Sequence, residues 1–491
     1  MRDEKIFHCP KEKLKEIQNR TLHAFINRKL YPFSPHYRKL FEQHHIDPRK
    51  IQKTEDLQQL PFTSKEDLIS NLATDPLDFV LQPDEASIKR YASPAELIQL
   101  AWKKTVYGKE RFQEDLEKEY KPIFLTVTTG TTRAPVSFLY TGYDLQKLQL
   151  YGRRLGCILG CLPQDRALNL FPYAPHLAFW QTTFVGFSSN MFVFSTGGGR
   201  IFGTDLSVQT LMKIKPNVVI GSADFVYHVL NAAKEKGCDL GFVKSIALGA
   251  SRVPSGFKIK LAELMRSVGA PDVRVLGTYG FTEARGAWTE CPSSEGSSSG
   301  YHLYPDQDIL EGIDPVSGRV VGEGEDGEIV YTSIAGRGSC VLRYRTGDLV
   351  KGGITYEPCP YCKRTLPRLS SNISRASNMR SLQLSKIKET LINLNHLEFL
   401  LDDEKMIAQW QIEITKKNTD PYEVDQLNVY LKACGHVDEA VFGKNLNEKI
   451  ATSCEMTFNR IEFVSAEEIR RRLVLDLAVK AKKIVDMRPQ V

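Results

Sequence analysis

Thr128-Thr129-Gly130-Thr131-Thr132-Arg133-Ala134-Pro135 decides the reading of this chain, together with the apolar run Ile123-Phe124-Leu125-Thr126-Val127 before it. The apolar run predicts a buried strand. Gly130 allows the tight turn that follows, and the flanking hydroxyls and N–H groups can converge on phosphate oxygens. By itself such a run is more often an ordinary strand-to-turn connection. Two later segments raise its weight: Tyr279-Gly280-Phe281-Thr282-Glu283 and Tyr344-Arg345-Thr346-Gly347-Asp348. A Walker A loop is excluded, because no Gly-Lys-Ser/Thr triplet closes a glycine-spaced turn into a helix. Gly197-Gly198-Gly199 lacks the dinucleotide-binding spacing and reads as a turn.

From residue 121 to about 350, strand-like and helix-like segments alternate. Apolar runs at 167–171, 191–195, 217–220, 245–248 and 273–276 are separated by helical stretches such as 224–236 and 256–267. That alternation predicts an α/β domain of layered sheets and helices. Residues 1–120 read as a helical N-terminal region, and 320–350 as turn-rich strand. Residues 366–381 are polar and read as a linker or hinge. Beyond them the pattern predicts a helix at 384–394, a strand at 406–414, a helix at 423–433, a strand at 459–464 and a helix at 466–475. The expected division is a large N-terminal domain, 1–373, and a small α+β C-terminal domain, 374–491.

At 491 residues the chain is long enough for two or three domains. Hydrophobic residues make up 42% and charged residues 25%, an ordinary globular balance. No apolar run approaches the roughly 18 residues that span a bilayer, and no apolar signal core follows the charged first residues. A cytoplasmic protein with no membrane partner is expected. The net charge of +6 is spread out. Its densest patches, Arg470-Arg471-Arg472 and Lys480-Ala481-Lys482-Lys483, read as solvated helix faces, so no nucleic-acid partner is expected.

Ten cysteines in a chain of this length without a signal do not suggest a disulfide framework. Cys359-Pro360-Tyr361-Cys362 is a knuckle whose two thiolates can share one tetrahedral ion. Cys291 and His302 flank a Ser/Gly-rich loop, 293–300, that can fold back to supply two more ligands. A redox role fits less well, since Pro358 and Pro360 break helix and no thioredoxin-like unit is present. On the residues alone, structural zinc and unbound surface cysteines both stay open.

Forming an acyl adenylate asks a protein to set a carboxylate against the α-phosphorus of ATP and to neutralise charge as pyrophosphate leaves. The Thr128–Thr132 hydroxyls and amides suit the β- and γ-phosphates, with Arg133 beside them. Glu283 is a candidate Mg2+ ligand, and Thr282 a candidate partner of the α-phosphate. Tyr279 offers an aromatic face to adenine, and Asp348 an acceptor to the ribose hydroxyls. Singly, Asp348 also reads as a turn residue and Glu283 as a neighbour of a helix start.

On these motifs the chain resembles the adenylate-forming superfamily that includes the acyl-CoA synthetases, and within it the phenylacetate-CoA ligase branch. Thr128–Pro135 is similar to the family's phosphate loop, Tyr279–Glu283 to its adenine and magnesium motif, and Tyr344–Asp348 to its ribose motif. Tyr31-Pro32-Phe33-Ser34-Pro35-His36-Tyr37-Arg38 and Leu60-Pro61-Phe62-Thr63-Ser64-Lys65-Glu66-Asp67-Leu68 also resemble that branch. Some of its members carry zinc at the positions of Cys291, His302, Cys359 and Cys362. The resemblance implies an acid–thiol ligase that uses ATP, Mg2+ and coenzyme A, carries structural Zn2+ and acts on a small carboxylic acid. It leaves a homodimer open. It further implies that Gly249-Ala250-Ser251 meets the adenine edge and that Arg375 contacts ribose and phosphate. Lys480 then attends adenylation, with Lys482 and Lys483 as competing assignments, and the small domain is mobile. Tyr173, His176, Phe179, Trp180 and Phe184, with Gly277, fall where the family places its acyl pocket. They suit an aromatic acid, and core filling is the alternative.

Three departures bear on the second half-reaction and on the nucleotide. Ser251 stands where the family usually has Glu, and Arg133 where it usually has Gly. After Arg375 the stretch Ala376-Ser377-Asn378-Met379-Arg380-Ser381-Leu382 lacks the acidic pair and the Arg-Gly loop of thioester formation. Adenylation is therefore better supported than transfer to coenzyme A. Transfer to a protein thiol or an amine, and a zinc-stabilised binding protein without catalysis, are the alternative readings. Residues 83–120 are longer than the branch requires.

Overall fold

The computed structural model describes residues 3–128, 136–375, 379–384, 387–419, 425–454, 456–475 and 480–488. Thr129, Gly130, Thr131, Thr132 and Arg133 of the expected phosphate loop lie outside the described residues.

A six-stranded sheet organises the large domain, in the order Phe192–Ser195, Arg166–Asn169, Val218–Ser222, Ser245–Gly249, Arg274–Phe281, Gly286–Thr289. The first five pair in parallel and the last antiparallel. Each apolar run expected in this region forms one of these strands. Val218–Ser222 and Ser245–Gly249 are buried at every position, the pattern of parallel strands covered on both faces. Gly249 and Tyr279 sit toward the carboxyl ends of their strands, the edge at which open α/β sheets bind ligands.

A second, antiparallel sheet runs Asp308–Ile313, Gly327–Ser333, Tyr344–Val350, Ile373–Arg375. In it Asp348 stands opposite Arg375. The expected linker is thus partly strand, and the large-domain sheet reaches Arg375, two residues past the expected boundary. The N-terminal region is helical, including Glu85–Tyr91, Pro94–Tyr107 and Lys109–Tyr120.

The run expected as a buried strand behaves differently. Pro122–Val127 forms a two-stranded antiparallel ribbon with Ser137–Thr141. A ribbon of two strands has one open face, so Ile123 is 60% and Leu125 38% exposed while Thr126 and Tyr140 are buried.

In the small domain Ile407–Lys416 is central, paired antiparallel with Asp425–Ala433 and parallel with Ile484–Asp486. The segment expected as a helix at 423–433 is strand Asp425–Ala433 because Leu427, Val429 and Leu431 form a buried period-two stripe. The helix expected at 384–394 is a hairpin, Met379–Leu384 with Ile387–Asn393, and helix begins only at Leu394. Glu439–Cys454 is a helix that periodicity did not disclose. Tyr430, Ile469, Leu473 and Leu475 join the large-domain core beside Phe257 and Leu261, so the two domains share an apolar boundary. The basic patches are not simply solvated either: Arg472 lies 3.4 Å over the Tyr430 ring and pairs with Glu413 and Glu468. Among the described residues no helix is long and apolar enough to cross a membrane.

Candidate active site

The strand Arg274–Phe281 delivers Tyr279, and the short turn Thr282–Ala284 that follows buries Glu283. Gly280 is needed between them, since a Cβ there would stand 2.7 Å from that of Ala287. Thr282 heads the turn and is partly buried. Tyr344 opens the neighbouring sheet's strand and donates its hydroxyl to Glu283 Oε1 at 2.8 Å. Four residues on, Asp348 Oδ2 accepts from the Tyr279 hydroxyl at 2.8 Å, and Asp348 Oδ1 lies 2.8 Å from Arg375 Nε. Asp348 is only 2% exposed. Burial, and then the Asp348 charge, pushes the Tyr279 phenol well above its usual range. The Tyr279 ring also stacks on Trp288 and Tyr301, at 6.0 and 5.7 Å. Much of the expected adenine face is therefore core.

Lys480 belongs to the small domain, and the charges of this cluster act on it. Its side chain is exposed. Desolvation by the surrounding protein, and then the Arg375 guanidinium, hold its ammonium down to about 8 against the pull of Asp348 and Glu283. Lys483 is engaged elsewhere, 2.8 Å from Asp402 and 3.5 Å from Asp224.

Gly249, Ala250 and Ser251 close the strand beside Tyr279's. A Cβ at Gly249 would meet Thr278 Oγ1 at 2.5 Å. Ala250 takes a left-handed φ of 64°, uncommon for a residue with a Cβ. Ser251 Oγ is buried with no hydrogen-bond partner among the described residues, an open donor and acceptor where the adenine edge was expected. Thr128, at the start of the expected phosphate loop, accepts at Oγ1 from the Val136 N–H at 3.0 Å.

The aromatic residues do gather. Tyr173 packs against Phe179 at 5.2 Å and Trp180 at 6.1 Å, and remains 61% exposed. His176 Nδ1 lies 3.0 Å from the Val127 carbonyl, which ties this cluster to the strand that precedes the expected phosphate loop. Phe184 packs against the main core instead. Gly277 approaches Glu290 and Tyr301, where a Cβ would stand 3.2 Å from Glu290 Oε2.

Away from this cleft, the ligand atoms of Cys291, His302, Cys359 and Cys362 all lie within 4.8 Å of one another. Cys291 Sγ is 3.7 Å from Cys359 Sγ, and Cys362 Sγ is 3.3 Å from His302 Nε2. A tetrahedron with zinc–sulfur bonds of about 2.3 Å has edges of about 3.8 Å, so this donor set fits zinc. His302 Nδ1 faces the Thr289 carbonyl at 3.4 Å, which leaves Nε2 as the ligand atom.

No family model matches the chain. It is 23% identical over 498 residues to phenylacetate-coenzyme A ligase of Aromatoleum evansii, covering 99% of this chain and 97% of that one. It is 25% identical over 417 residues to phenylacetate-coenzyme A ligase of Pseudomonas putida, covering 83% and 80%. Among solved structures, 2-hydroxyisobutyryl-CoA ligase in the postadenylation state with 2-HIB-AMP aligns at a TM-score of 0.77 and 19% identity, over 99% of this chain and 92% of that one. The same ligase in the thioesterification state, with 2-HIB-AMP and CoA, aligns at 0.62 over 98% and 91%. The chain has the fold of the adenylate-forming CoA ligases.

Within this ligase fold, sequence reasoning missed three features. Tyr344 lies inside the ribose-like motif, where nothing in the sequence signals that it holds Glu283. Glu290, next to Cys291, accepts from the Gly277 N–H at 2.6 Å and from buried Lys258 Nζ at 2.7 Å. It therefore ties the cysteine–histidine loop to the strand that carries Tyr279; its place beside a candidate ligand was the available signal. The Lys483 contacts with Asp224 and Asp402 had no signal, since they join distant segments.

Proposed function

We propose that the protein, acting in the cytoplasm, converts a small carboxylic acid, by preference an aromatic one, to its acyl adenylate with ATP and then passes the acyl group to coenzyme A. The observation that carries this reading is the carboxylate pair at the sheet edge, Asp348 held by Tyr279 and Arg375 and Glu283 held by Tyr344, whose charges act on Lys480 of the small domain. A carboxylate oxygen attacks the α-phosphorus, and the bond to pyrophosphate breaks. Lys480 bridges the charges of the two reacting groups, and Thr282 bonds the α-phosphate. Asp348 and Arg375 hold the ribose, and Ser251 Oγ meets the adenine edge. Thr128 and the loop through Thr132 cradle the outer phosphates. Glu283 would hold Mg2+, which when bound offsets the charge of the departing pyrophosphate. The Tyr173, His176, Phe179 and Trp180 cluster walls the acid.

Cys291, His302, Cys359 and Cys362 would hold one zinc ion with no coordination position left open, the mark of a structural site. The relatives named phenylacetate-coenzyme A ligase support coenzyme A as acceptor. The departures at Ala376–Leu382 favour, as a second reading, a protein thiol or an amine.

A screen of aryl and short aliphatic acids for ATP-dependent pyrophosphate release, with and without coenzyme A, tests the proposal. Acid-dependent release with a CoA thioester as product supports it. Release without thioester favours the second reading, and no acid-dependent release overturns both.

A further inference from the structure

Three residues beyond Lys480, Lys483 crosses the domain boundary. Its ammonium lies 2.8 Å from Asp402 Oδ1, 3.5 Å from Asp224 Oδ1 and 4.9 Å from the centre of the Trp410 ring. Asp402 and Trp410 belong to the small domain, where Trp410 Nε1 donates to the same Asp402 oxygen at 2.8 Å. Asp224 belongs to the large domain, in the first turn of helix Ala223–Glu235, where the helix field favours a carboxylate. Both carboxylates are buried, and Asp224 Oδ2 has no hydrogen-bond partner among the described residues. The loop that carries both lysines is pinned as well: Gln411 Nε2 donates to the Lys482 carbonyl at 2.8 Å, and the Ile412 N–H donates to the Lys483 carbonyl at 2.7 Å.

The two carboxylates ride on different domains. If the small domain turns, Asp402 and Trp410 travel with Lys483, whereas Asp224 is left behind without its cation. The Lys483–Asp224 pair thus marks the interdomain arrangement seen here, in which the charges of Asp348 and Glu283 act on Lys480. It lies in a wider polar seam: Lys260 Nζ, from helix Ser255–Arg266, donates to the Ile407 carbonyl, and Gln409 Nε2 donates to the Asp224 carbonyl at 3.5 Å. A buried ion pair adds little net stability, and in some proteins it selects one arrangement over another.

We propose that Lys483 and Asp224 are positioning residues, an interdomain latch that docks Lys480 for adenylation and opens before acyl transfer. The proposal rests on the adenylation reading above, so its test includes a measurement that needs no chemistry. In full-length protein, Asp224→Asn should slow acid-dependent pyrophosphate release by about tenfold or more, the loss expected when a buried charge pair is cut. Transfer to coenzyme A from a supplied acyl adenylate should stay within about twofold. A fluorescence-transfer pair at exposed Leu162 and Val441 should report a broadened interdomain distance in the variant. Lys483→Gln should act alike, and replaces Asp224→Asn if that variant does not fold. Equal loss in both half-reactions, or an unchanged distance distribution, overturns the latch. A shifted distribution in a protein whose wild type activates no acid upholds the latch and refutes the enzymatic reading.

Discussion

The cysteine–histidine cluster and the proposed nucleotide cleft are built on opposite plans. Cys291, His302 and Cys359 are fully buried in the large domain, and the four ligand atoms face one another. One zinc ion would complete them. The carboxylates of the cleft are already occupied, Asp348 by Tyr279 and Arg375 and Glu283 by Tyr344, and their charges act on Lys480 of the small domain. Those partners are neutral or cationic groups that a nucleotide and a cation can replace or share. A closed site adds stability, whereas a provisionally satisfied one serves turnover. Damage to the first should therefore appear as unfolding, and damage to the second as lost rate in a folded protein.

The largest expected effect is in the cleft. Lys480→Ala should slow pyrophosphate release by about a thousandfold, the scale of losing a charged donor at a transition state, with an unchanged melting temperature. A loss below tenfold would break the contrast. Glu283→Gln comes next, at about a hundredfold, because it neutralises the carboxylate expected to hold Mg2+. Excess Mg2+ should restore part of the rate, and steady-state kinetics across a Mg2+ titration checks this.

On the other side of the comparison, metal analysis should find about one zinc per chain. Cys359→Ser should lower the melting temperature by about 5 °C or more while leaving turnover per folded molecule within about threefold. A variant with normal stability and little activity would show that the cluster serves chemistry after all.

The smallest effect is in the pH profile. The Lys480 ammonium is held down to about 8. Its charge is present below that value and lost above it, so kcat/KM for adenylation should fall as pH rises through about 8. Lys480→Arg should move the fall upward, because a guanidinium stays charged. A wild-type profile flat from about pH 7 to 9.5 would separate Lys480 from the rate.

How far each region was legible follows from the range of its interactions. The parallel strands were readable because strands buried on both faces are continuous apolar runs, as in Val218–Ser222. The cysteine–histidine set was readable because its ligand types are rare and part of its spacing is local. Ile123–Val127 misled because an apolar run looks the same whether or not a second layer covers it. Asp425–Ala433 misled because Leu427, Val429, Tyr430 and Leu431 satisfy a helical period nearly as well as a strand's. The seam between the domains was invisible, since Lys483, Asp224 and Lys260 gain meaning only once folding brings them together.

Acid-dependent exchange of labelled pyrophosphate into ATP tests the central claim most directly, because it reports reversible acyl-adenylate formation without any acceptor. The account predicts exchange with at least one aromatic acid, dependent on Mg2+ and lost in Lys480→Ala. Exchange that needs no acid, or that survives in Lys480→Ala, would contradict it.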